Sequence, residues 1–108
     1  GANDGLRGLP LAQMRDNLNA MIDAARAAGA RTLLIGMRLP PNYGPYAAEF
    51  DAAFRDTAAL KKSAYFDFLL APIALDRRYF QSDGLHPVAD AQPLILDAVW
   101  PHLQPLLK

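Results

Sequence analysis

The chain has 108 residues, 52% of them hydrophobic and 20% charged, a composition of folded globular domains that predicts one small domain, residues 1–108. Eleven acidic residues balance eleven basic ones, with no basic stripe, which argues against a nucleic-acid partner. No apolar run approaches the roughly 20 residues that span a bilayer, so no stable membrane anchor is expected, and the lack of cysteine excludes disulfides and thiolate metal sites.

From Pro10 to about Ala28, Leu11, Met14, Leu18, Ile22 and Ala25 recur every three or four residues, which predicts an amphipathic helix. Pro10 suits its first turn, and Gly29 suits the left-handed position that ends it. Thr32 to Met37 is a short apolar run without alternation, the pattern of a strand buried on both faces of a parallel sheet. Arg38-Leu39-Pro40-Pro41-Asn42-Tyr43-Gly44 is rich in breakers and predicts a loop leaving that strand. A second helix is expected from Pro45 to about Lys62, burying Tyr46, Phe50, Ala53, Phe54, Thr57 and Leu60. Tyr65 to Leu69 reads as a second strand, Ile73 to Phe80 as a short helical turn, and Asp83 to Pro87 as a loop. Val88 to about Leu106 reads as a last helix that Pro101 kinks or ends. This alternation is α/β. Two strands with three helices rarely shield a parallel sheet alone, so the chain is expected to be part of a larger unit.

Two short segments carry residues suited to chemistry. In Asp83-Gly84-Leu85-His86-Pro87 a tight loop can fold the carboxylate onto the imidazole, fixing its tautomer and leaving the other ring nitrogen for a nucleophile. Gly84 permits the turn and Pro87 holds His86 extended. The plainer alternative is that Asp83 orders a turn and His86 caps a helix. In Gly1-Ala2-Asn3-Asp4-Gly5, the Asn3 amide can donate to a developing oxyanion, with Gly1 and Gly5 expected to let the backbone bend sharply. An ordinary Asn-Asp-Gly turn is the rival here.

The serines are Ser63 and Ser82. Ser63 begins a strand, the wrong end for an α/β site, and Ser82 adjoins Asp83 too closely for His86 to activate it. Neither suits a nucleophile. His102 is expected at a surface or boundary, and no metal-ligand spacing supports a metal site. Leu6, Leu9, Leu39 and Tyr43 are either core plugs or walls of an acyl groove.

These residues resemble a known group. Gly1 to Gly8 resembles the third conserved block of SGNH (GDSL-type) hydrolases, and Asp83 to Pro87 their fifth. Arg38 to Gly44 and Asp90-Ala91-Gln92-Pro93 are similar to the bacterial thioesterase I/arylesterase/lysophospholipase branch. The resemblance covers essentially the whole chain. It implies the C-terminal portion of a flavodoxin-like three-layer α/β/α fold, with the early strands preceding residue 1. It also implies Asn3 as oxyanion-hole donor, His86 as general base and acid, Asp83 as its orienting partner, and Asp4, Leu6, Leu39 and Tyr43 at the substrate. The nucleophile, in a Gly-Asp-Ser block, is expected on an N-terminal segment of the same protein. Relatives hydrolyse carboxylic esters and thioesters without metal or cofactor, and many are exported to the periplasm. The alternative is a non-catalytic α/β fragment that complements another chain or acts as a binding module.

Overall fold

Three helices and two short strands precede Phe68, where the chain divides into two units; the computed structural model describes residues 2–107. Helix α1 spans Ala2–Leu6, α2 Leu11–Ala27 and α3 Pro45–Lys61, while strands β1 and β2 span Leu33–Ile35 and Ala64–Phe66. The periodic faces of α2 and α3 meet. Met14 and Leu18 pack on Phe50, Ala53 and Phe54, with the Phe50 and Phe54 rings edge to face at 5.2 Å.

The strands pair in parallel, with Leu34 opposite Tyr65, and both of these side chains pack against that core. No strand residue is fully buried, contrary to the expectation for β1. The sheet is two strands wide among the described residues, and Leu33 and Ile35 alternate to the face away from Leu34. Strand β2 begins one residue earlier than expected and ends at Phe66.

Each of the three helices stops in the same way. After α1, the Gly8 amide donates to Gly5 O and the Leu9 amide to Asp4 O, with Gly8 at φ +65°. After α2, Gly29 donates to Arg26 O and Ala30 to Ala25 O, and the expected left-handed glycine is in place. After α3, Lys62 and Ser63 repeat the pattern, and Lys62 takes the left-handed conformation that usually falls to glycine.

Three details differ from the sequence reading. Pro10 lies just outside α2, in extended geometry, its carbonyl accepting from the Met14 amide. In α3, Ala58 is buried and Leu60 is 71% exposed, because Leu60 sits at the edge of the stripe in the last turn. Asn3, Asp4 and Gly5 form a helical turn rather than a sharp bend. Gly5 is needed for space: a Cβ there would lie 2.3 Å from the Phe50 ring. Gly1 lies outside the described residues.

The second unit is built around Ile73, Ala91 and Ile95, against which Leu69, Leu70, Tyr79, Phe80, Val88 and Val99 pack. Its expected single turn over Ile73 to Phe80 is a short 3-10 helix, Arg77–Tyr79, capped by Asp76, whose carboxylate accepts from the Arg78 amide. The expected last helix is three pieces: a 3-10 turn at Ala89–Ala91, helix α4 at Gln92–Leu103, and a second 3-10 turn at Gln104–Leu107. Pro101 lies inside α4, which continues past it for two residues before tightening. The proline forgoes only its own bond to the carbonyl four residues back.

Candidate active site

The Asp83–Pro87 loop projects from a narrow base. Phe80 and Pro87 form an antiparallel bridge, Val88 donates to Tyr79 O, and Gln81 donates to His86 O at 2.7 Å. Gly84 takes φ +69°, as the turn requires, and its amide donates to Gln81 O. Within this frame Asp83 serves both backbone and side chain. Its Oδ1 accepts from the amides of Leu85 (2.9 Å) and His86 (3.0 Å), while its Oδ2 lies 2.6 Å from His86 Nδ1.

This geometry has two consequences. Bonds from the His86 and Leu85 amides, then from the imidazole, hold the Asp83 carboxyl down at about 2, so it is ionised at neutral pH. An ionised acceptor on Nδ1 places the neutral ring's proton there and leaves Nε2 with a free lone pair. The His86 side chain is 71% exposed in the described chain. A turn that orders Asp83 and a carboxylate that orients His86 are therefore one structure, not alternatives.

The remaining candidates lie in the first unit. Asn3 is exposed on α1, and Asp4 follows it, half-buried. Leu6 ends α1 and Leu9 follows the stop; both are exposed. Leu39 packs against the α2–α3 core. Tyr43 stands in a short 3-10 turn, Pro41–Tyr43, and donates its hydroxyl to Leu6 O at 2.9 Å. Sequence reasoning missed Tyr46 here. It was expected only in the helix stripe, yet its hydroxyl donates to Leu9 O. Burial pushes its phenol up, with the nearby charges of Asp4 and Tyr43 adding to the effect.

Arg38 was likewise read only as part of a loop. Its guanidinium pairs with Asp67, which follows β2, lies 3.9 Å from Asp51, and stands over the Phe68 ring at 5.4 Å. Gly36 completes this join. Its amide donates to Phe66 O, and a Cβ would come within 2.2 Å of Asp67 O. Ser63 has a structural role: its hydroxyl lies 3.0 Å from that of Thr32 and within bonding distance of the Thr32 and Ala64 carbonyls. Ser82 is exposed in the turn before Asp83. No group of three potential metal ligands occurs among the described residues.

The chain is 47% identical over 108 residues to Esterase TesA of Pseudomonas aeruginosa, a match covering 99% of this chain and 54% of that protein. It is 38% identical over 109 residues to the thioesterase 1/protease 1/lysophospholipase L1 of Escherichia coli K12, covering 52% of that protein. A crystal structure of TesA superposes with a TM-score of 0.92 at 47% identity, over 98% of this chain and 59% of the other. The α/β fold is thus that of these hydrolases over the matched part, and the chain spans about half the length of the curated relatives it matches. With the model of that family matching residues 1–92, the chain belongs to the GDSL-like lipase/acylhydrolase family.

Proposed function

We propose that residues 1–108 are the C-terminal part of one SGNH-hydrolase domain and supply the Asp–His pair and an oxyanion donor for serine-dependent hydrolysis of carboxylic esters and thioesters. The observation that carries this reading is the 2.6 Å contact between Asp83 Oδ2 and His86 Nδ1. The names of the relatives, esterase and thioesterase/lysophospholipase, support the substrate class.

The steps follow from the chemistry of the groups. A serine on a preceding segment attacks the acyl carbonyl, and its proton passes to His86 Nε2. Asp83 holds the ring and stabilises the imidazolium. The Asn3 carboxamide donates to the oxygen that becomes negative, a contact worth about 3 kcal/mol in the transition state. His86 then gives the proton to the departing alcohol or thiol. Water attacks the acyl-serine as His86 accepts its proton, and the carboxylic acid leaves with the serine restored. Asp4, Leu6, Leu39 and Tyr43 are proposed to border the acyl group, and export to the periplasm is proposed from the family resemblance.

Turnover of a p-nitrophenyl ester by the complete protein tests the pair. His86→Ala is expected to abolish it, and Asp83→Asn to lower kcat by about 10⁴, as loss of the orienting carboxylate does in other triads. Turnover retained in the His86→Ala variant contradicts the assignment.

A further inference from the structure

We propose that Tyr43 and Tyr46 are positioning residues whose hydroxyls clamp the Leu6 and Leu9 carbonyls and thereby fix the helical turn that carries Asn3; the role assigned to Asn3 rests on the reading above.

A five-residue helix does not hold itself in water, because the first turn fixes several residues for a single bond. α1 must be held from outside. Its own backbone supplies part of the restraint: Arg7 donates to Asn3 O, Leu9 to Asp4 O and Gly8 to Gly5 O. Among the described residues, no backbone amide donates to the Leu6 carbonyl, at the helix C-terminus, or to the Leu9 carbonyl, just beyond the stop. Tyr43 and Tyr46 fill these two places.

Both donors come from adjoining turns of the chain. Tyr43 closes the Pro41–Tyr43 turn, Tyr46 lies in the first turn of α3, and the Tyr46 ring packs against the core. Gly5 seats α1 directly on the Phe50 ring, which is fully buried on the same helix α3. Thus α3 and the turn before it grip α1 at three points, two polar and one steric. An oxyanion donor works only when held where charge develops, and a shift near 1 Å can cost on the order of 10²-fold in rate.

The test uses Tyr43→Phe, Tyr46→Phe and the double variant of the complete protein, each in wild-type and Asn3→Ala backgrounds. Phenylalanine keeps the rings and their packing. The double variant is expected to lose roughly 10-fold or more in kcat for a short-chain p-nitrophenyl ester, with KM changed less than about 3-fold. In the Asn3→Ala background the same pair of changes is expected to cost almost nothing further. Amide exchange at Arg7, Gly8 and Leu9 is expected to quicken about 10-fold in the double variant. Unchanged exchange overturns the clamp. Equal losses in both backgrounds overturn its action through Asn3. Should Asn3→Ala itself leave kcat intact, the oxyanion role falls with the coupling built on it, while the exchange rates still decide the clamp.

Discussion

Asp83 shows how much one side chain can be asked to do. One carboxylate oxygen takes two backbone amides and the other takes the imidazole. Its carboxyl is depressed from an ordinary 3.8 to about 2, so its stabilisation of the loop is fully present above 3.8 and is lost as pH falls through about 2. The His86 amide is the largest cause, followed by that of Leu85, and the His86 side chain comes only third. A carbon-detected NMR titration of the Asp83 carboxyl should therefore find a midpoint near 2, and His86→Ala should leave most of the depression in place. A return to the ordinary carboxylate range in that variant would mean that the imidazole, not the loop, orders the acid. The loop was legible in sequence because each of its residues meets a local demand: Asp83 to accept, Gly84 to turn, Pro87 to extend. Tyr43 and Tyr46 were not, because their hydroxyls act on carbonyls 37 residues away, a pairing no local pattern records.

At the scale of elements, α2 and α3 stand close to where periodicity and stop signals place them. Both are long enough for a buried stripe to repeat, and Gly29 and Pro45 mark their ends. The short elements behave differently. Strands of three residues show as apolar runs without sharp ends, and the boundary of β2 shifted accordingly. Helix α1 exists through tertiary packing, so its Asn-Asp-Gly sequence points to a turn while Phe50 decides for a helix. Gly5→Ala isolates that decision. The new methyl meets a ring that is 0% exposed and has no room to retreat, so α1 or α3 must shift. A loss of about 1–3 kcal/mol in urea unfolding of the complete protein is expected. Unchanged stability would show that α1 is not seated on Phe50. Pro101 teaches a milder lesson: a proline late in a helix does not end it at once, and α4 runs two residues further before it tightens into a 3-10 turn.

For the whole molecule, the division of labour follows the chain. Residues before Phe68 hold the Asn3 turn, and residues after it hold the Asp83–His86 loop. The chain belongs to the GDSL-like lipase/acylhydrolase family and spans about half the length of the curated relatives it matches. Of the two serines present, Ser63 is engaged with Thr32 and Ala64, and Ser82 abuts Asp83 in the turn. Among the described residues no helix is long and apolar enough to cross a membrane. The most direct test labels the complete protein with a fluorophosphonate, which reacts with an activated serine, and maps the adduct by mass spectrometry. The expected adduct lies on a serine outside residues 1–108, and its formation slows at least about 10³-fold in the His86→Ala variant. An adduct on Ser63 or Ser82, or labelling indifferent to His86, would contradict the assignment of His86 as the base for a serine held on another segment.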